Sequence, residues 1–562
     1  MPRSYFAIII CILAVATVAG GLLGKQPAPM QPSDAMADNP VVRAFADALK
    51  LIEEQHAALP DNERLTRSAV SKMLHTLDPH SSFFNRQEFN ELQDEQSSKF
   101  YGIGITVNQR NGRLYILGVN PGLPAEKAGL RYGDELLAVD GKAARDWTHA
   151  DALKHVRGNR GTTVEITVER VPERSNEHAL ERPLERNAER GQAKPLTLQI
   201  ERDEIPYPSV RNRFMLRPDI GYIALTGGFN QATSEELREA IAKLKKDGMT
   251  ALVLDLRRNP GGLLKQAVQV AEIFLPTNSE IVSVKGARAP KQVYRSDNPE
   301  PETMPLAVLI DHESASASEI VAGAMQDQDR GLLVGSASFG KGLVQTVFRL
   351  PWGMGLTLTT AKYYTASGRS IQREYAGVST YDYYREGRRP LAKTKPSASA
   401  KEAFYTPTKR VLRGGGGITP DVLVNLLEED WQLRDACFEF IRQLVAGAVP
   451  GLPEYKLAKT TFDYQLRGTE FPVTEPLLNA LRGFLRERPK FRALESKLSE
   501  QAEYVRRRLR AELITAAYGV EAGEQFLMES DRQALQAIEE LPKAKLLSER
   551  ARLFKPGAQT RN

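Results

Sequence analysis

The chain has 562 residues, 41% of them apolar and 26% charged, which suits a folded protein but is too long for one hydrophobic core. A formal charge of +6 over that length, with no zinc-finger or RNA-binding signature, gives no reason to expect nucleic acid as a partner. There are two cysteines, Cys11 and Cys437, and no CxxC pair, which excludes a disulfide framework and argues against a cysteine zinc site.

Met1-Pro2-Arg3 places a positive charge before an uncharged run, residues 4–24. The run is either a cleaved export signal, with Thr17-Val18-Ala19 as the small-residue site, or an uncleaved anchor, which needs about 20 residues to span a bilayer. Both readings put the bulk of the chain outside the cytoplasm. Residues 25–39 read as a linker. Residues 40–95 carry apolar side chains at helical spacing (Phe45, Leu49, Ile52; Val70, Met73, Leu74, Leu77), broken by the turn Leu77-Asp78-Pro79-His80-Ser81.

From Phe100 the period becomes strand-like. Tyr101-Gly102-Ile103-Gly104-Ile105 leads into further strands, a short helix before Gly129, and an Asp140-Gly141 turn. Residues 96–205 read as one domain, with a charged insertion at 171–194. An α/β alternation follows over 206–425: strand 220–225, a helix ending before Gly248, and strand 251–256 form a βαβ unit. Helix 264–274, strand 306–310 and helix 316–326 continue it. Residues 379–403 read as a basic loop, and 426–562 as a charged helical extension.

Three local patterns point to chemistry. Asp255-Leu256-Arg257-Arg258-Asn259-Pro260-Gly261-Gly262 ends a buried strand in a turn whose glycines let backbone N–H groups face a ligand. Ser314-Ala315-Ser316-Ala317-Ser318-Glu319 sits where a strand gives way to a helix; its bland reading is an N-cap with Glu at cap spacing. Phe339-Gly340-Lys341-Gly342-Leu343-Val344-Gln345 opens an apolar strand, and period 2 puts Lys341 and Gln345 on one face of it. A lone lysine there is more often a surface charge.

Taken together and in this order, the three patterns resemble those of the C-terminal processing (tail-specific) serine peptidases, DLRxNPGG, SASASE and FGKGxxQ. Leu77-Asp78-Pro79-His80-Ser81 and Gly417-Ile418-Thr419-Pro420-Asp421 match as well, and the resemblance covers about residues 40–425. The 25-residue interval from Ser316 to Lys341 is similar to that of the family, and this resemblance picks Ser316 out from Ser314 and Ser318.

The resemblance implies an α/β (α+β) fold: a protease core of the crotonase/ClpP type, an inserted PDZ domain over 96–205, and a helical C-terminal region. It implies Ser316 as nucleophile, Lys341 as its base and Gln345 as the group that orients the amine, with the N–H groups of Ala317 and Gly262 as oxyanion hole. Neutral lysine can serve as a base where burial favours the uncharged form, and no histidine stands in a credible triad position. Tyr101, Gly102, Ile103, Gly104 and Ile105 would bind the substrate carboxylate, and Arg131 would couple peptide binding to the core.

Substrates would be proteins or peptides with free C-termini; no metal or cofactor is implied. An adaptor protein, a second copy of the chain and the membrane stay open as partners. A crotonase-like acyl-CoA enzyme and a non-catalytic PDZ scaffold are the rival readings; the PDZ segment argues against the first and the intact Ser316, Lys341 and Gln345 against both.

Overall fold

A computed structural model describes residues 39–172, 195–288, 290–387, 402–425, 429–457 and 470–554. The apolar run 4–24, nearly all of the charged insertion and most of the basic loop lie outside these. Among the described residues no helix is long and apolar enough to cross a membrane. The chain divides into two compact units, one of residues up to Asn90 with Gln345–Thr359, the other of Glu91–Val344 with Thr360 onward.

In the first unit, helices Pro40–Gln55 and Asn62–His75 are opened by Asn39 and Asp61, whose carbonyl and carboxylate oxygens accept from Val41 and Arg64 N–H. Strand Ser82–Phe84 pairs antiparallel with residues Gly355 to Thr357, Phe83 opposite Leu356. Before it, the Asp78 carboxylate accepts from His80 N–H, Ser81 N–H and the Ser81 hydroxyl at 2.7–2.8 Å. Burial raises the pKa of Asp78, but these hydrogen bonds outweigh it and hold the carboxyl below its ordinary range. Asp78, His80 and Ser81 thus form a closed turn.

The second unit contains a small antiparallel sheet ordered Ile105–Arg110, Arg113–Val119, Glu135–Val139, Thr163–Glu169, Leu196–Glu201. Its core is made by Ile103, Ile116, Leu136, Val164 and Ile166, all nearly inaccessible. Strands Lys99–Gly102 and Asp203–Pro206 pair with each other as a neck through which the chain enters and leaves. Strand Ile105–Arg110 is an edge of the sheet, with helix His149–Val156 packed beside it.

The main sheet runs Val210–Arg217, Ile220–Leu225, Ala251–Asp255, Leu306–Ile310, Leu332–Gly335, Val422–Leu423, parallel after its first pair. Ala251–Asp255 and Leu306–Ile310 are buried along their whole length, as expected of parallel strands covered on both faces. Each of their leucines contributes about 2 kcal/mol by leaving water. Helices Thr233–Lys246, Leu264–Phe274 and Ala317–Asp327 share a core on one face. On the other face, Val253, Ala307 and Leu309 pack against Ala534, Ala537 and Leu541 of the last helix, Arg532–Leu553. The far C-terminal chain therefore completes the helix–sheet–helix sandwich. Helices Trp431–Val445, Glu475–Arg486 and Ala502–Tyr518 form a separate core around Phe440, Leu481 and Leu509.

Candidate active site

Strand Leu306–Ile310 ends at Asp311, and the chain turns sharply into helix Ala317–Asp327. Ser316 stands at that corner with φ 55° and ψ −112°, a conformation that costs an ordinary residue about 1–3 kcal/mol. The hydroxyls of its two serine neighbours are committed elsewhere. Ser314 Oγ donates to Leu256 O at 2.8 Å and Ser318 Oγ to Asn259 O at 2.9 Å, and both residues are fully buried. Ser316 is half-buried, and its side chain stands at the turn of the helix.

The glycine turn lies against it. Asn259 is fully buried: its Oδ1 accepts from Gly261 N–H at 2.9 Å, and its carbonyl accepts from Ala315 N–H at 3.0 Å. A Cβ on Gly261 (φ 99°) would fall 2.7 Å from Ser316 Cβ and 2.9 Å from the Ala317 nitrogen, so only glycine permits this approach. Gly262 forms a parallel bridge with Phe229 in which Phe229 N–H donates to Gly261 O and Leu263 N–H to Phe229 O. That pattern turns the N–H of Gly262 itself away from Phe229. Ala317 N–H, first in its helix, has no acceptor within the helix.

Lys341 is joined to Ser316 through two side chains. One carboxylate oxygen of Glu319, Oε2, accepts from Ser316 N–H at 2.8 Å and from Lys341 N–H at 2.9 Å. The other, Oε1, accepts from Gly340 N–H at 2.7 Å and from the Ser338 hydroxyl at 2.5 Å. The Tyr363 hydroxyl lies 3.1 Å from Ser316 O and 2.6 Å from Lys341 O. Burial raises the Glu319 pKa above the ordinary carboxylate value, and its four hydrogen bonds offset part of that rise. Burial likewise pushes the Tyr363 hydroxyl up, so it stays neutral. Lys341 itself is half-buried.

The model of peptidase family S41 matches residues 219–381, and that of the PDZ domain matches residues 91–169. The carboxy-terminal-processing protease of Bartonella bacilliformis is 38% identical over 58% of this chain and 72% of its own length. The chain belongs to peptidase family S41. Carboxy-terminal processing protease CtpB of Bacillus subtilis is 31% identical over 65% of this chain and 74% of its own. A solved photosystem II D1 C-terminal processing protease, 26% identical, covers 67% of this chain and 86% of that one with a TM-score of 0.35.

In this S41 peptidase, a serine protease with a PDZ domain, the predicted site residues fall in several places. Ser316 and Ala317 lie against Gly261, the residue before Gly262, and the Lys341 backbone is tied to that of Ser316 through Glu319 and Tyr363, all in the second unit. Gln345 lies on strand Leu343–Arg349, half-buried, and belongs to the first unit. Tyr101 and Gly102 are in the neck strand, opposite Glu204 and Asp203. Ile103 is fully buried, Gly104 turns the chain at φ 80°, and Ile105 begins the edge strand. Arg131 is exposed, and its N–H donates to Asp134. Sequence reasoning missed two residues of the site. Glu319 appeared only as a cap partner and Tyr363 not at all, because their partners lie 22 and 47 residues away.

Proposed function

We propose that this serine protease cleaves proteins near their C-termini through an acyl-enzyme on Ser316, with Lys341 as general base. The observation that carries the reading is the double bridge: Glu319 and Tyr363 tie the backbones of Ser316 and Lys341 at a strained corner with Gly261 pressed against it. The neutral Lys341 amine takes the proton of the Ser316 hydroxyl as Oγ attacks the scissile carbonyl. The developing oxyanion is received by the N–H groups of Ala317 and Gly262. The lysine then gives its proton to the leaving amine, and a water molecule hydrolyses the ester. The family pattern assigns Gln345 to orienting the amine without adding a charge that would keep it protonated.

The substrate tail is captured, on this reading, by the PDZ domain. Thr106 and Asn108 are exposed on the edge strand Ile105–Arg110, which can take an added peptide strand beside helix His149–Val156. The turn at Ile103 and Gly104 would hold the terminal carboxylate, and Arg131 would relay occupancy to the core. A peptide with a free apolar C-terminus should be cleaved at least ten times faster than its amide, since amidation removes the captured charge; kcat/KM on the two forms measures this. Equal rates would remove the capture step while leaving the Ser316 assignment intact.

The chain is also read as exported, from the charge at Arg3 and the apolar run 4–24. Fractionation of cells making the full chain should place it in membranes or outside the cytoplasm. Recovery of uncut protein in the cytosol would defeat this.

A further inference from the structure

We propose that Asp531 and Gln533, at the start of the last helix, are positioning residues for the glycine turn that serves Ser316, an inference that rests on the reading of that turn as the oxyanion hole. The link runs through Arg257, a buried member of the Asp255–Gly262 motif. Its Nε lies 3.0 Å from both oxygens of Asp255, and its Nη2 donates to Asp255 Oδ2 at 2.6 Å. Its Nη1 reaches out of the motif altogether. It donates to the two oxygens of Asp531 at 3.1 and 3.0 Å and to Gln533 Oε1 at 2.9 Å. Burial alone would lower the guanidinium's pKa; the charges of Asp255 and Asp531 more than reverse this.

Both partners are themselves fixed. Asp531 caps its helix by accepting from Ala534 N–H at 2.8 Å, and Gln533 donates to Val424 O at 2.7 Å. The helix behind them is seated on the back of the main sheet by Ala534, Ala537 and Leu541. Arg257 is followed directly by Arg258, at φ 57° with its N–H on Asp311, and then by Asn259, which holds Gly261 and Ala315. A movement of the Arg257 guanidinium is thus two residues from the group that sets the Gly261 approach to Ser316. Hydrogen bonds to a developing oxyanion act only at close to their ideal length, so a small drift of this turn slows the chemical step more than it weakens substrate binding.

Asp531→Asn tests the proposal on the full-length protein. Asparagine still caps the helix, so the fold is kept, but the charge facing Arg257 is lost. The expected result is a kcat at least tenfold lower on a tailed peptide, KM within twofold of the parent, and an equally slowed reaction of Ser316 with a fluorophosphonate probe. Gln533→Met should lower kcat in the same sense by a smaller factor. Leu481→Ala is the control: buried in the separate helical core, it should lower Tm yet leave kcat within twofold. Parent kcat in both Asp531→Asn and Gln533→Met would overturn the proposal. So would a fall in kcat that merely tracks Tm across all three variants. If the parent neither cleaves the peptide nor labels at Ser316, the reading of Ser316 itself fails, a separate outcome.

Discussion

Ser316→Ala, Lys341→Ala and the double variant should all lose about 10⁴-fold or more in kcat, and the double variant should be no worse than either single one. On the proposed mechanism hydroxyl and amine act in one step: without the base the hydroxyl is a weak nucleophile, and without the hydroxyl the base has nothing to activate. Ser316→Ala removes one oxygen from a half-buried side chain, so Tm should change little. Ser314→Ala and Ser318→Ala differ, because each removes a buried side-chain hydrogen bond to a backbone carbonyl, Leu256 O or Asn259 O, that keeps only its one backbone donor; they should lower Tm more and activity less. In the parent enzyme the rate should climb with pH as Lys341 loses its proton. Steady-state cleavage of a tailed peptide across pH checks all of this. A Lys341→Ala variant that cleaves at the parent rate would remove the lysine from the mechanism.

The second large effect is expected at Glu319. Glu319→Gln is nearly isosteric, but the site presents four donors and no acceptor: the N–H groups of Ser316, Gly340 and Lys341, and the Ser338 hydroxyl. A carboxylate has about four lone-pair positions to receive them; an amide must turn an NH2 group toward two of them. Losing two charge-assisted hydrogen bonds at about 1.5–3 kcal/mol each should lower kcat/KM by roughly two to four orders of magnitude, because the same bonds fix Ser316 and Lys341 relative to each other.

Stability carries a second signature. The Glu319 pKa is raised in the folded chain, so above about 4.5 the folded state holds a proton that the unfolded state has released. Stability must therefore decline as pH rises through the interval from 4.5 to the elevated value. Glu319→Gln has no such proton, and the difference in Tm between variant and parent should narrow across that interval. A parent-like kcat/KM in a folded Glu319→Gln protein would show that the bridge is dispensable.

What the sequence determined by itself was local in origin. Apolar runs with turn residues at their ends were enough to read the βαβ alternation over 206–425, since a parallel strand covered on both faces has to be apolar throughout, as Ala251–Asp255 is. The strand-to-helix junction at Ser316 and the two glycines after Pro260 were visible for the same reason: both are turns, and turns are specified by neighbouring residues. Membership of the family rested on three short motifs whose order and spacing survive in one dimension.

Tertiary structure alone decided the contacts between those motifs. Glu319 had been legible as a cap partner of Ser316, three residues away, but three of its four donors come from residues 338–341, and the pattern of one helix start cannot reveal them. Tyr363 reads as one more aromatic in a strand until folding sets its hydroxyl beside two carbonyls. The last helix carries small residues toward the sheet and an aspartate at its cap, a pattern that fits many partners. Only the closed sandwich puts Asp531 against Arg257, because a buried guanidinium must find its counter-charges wherever the chain can supply them, however distant in sequence.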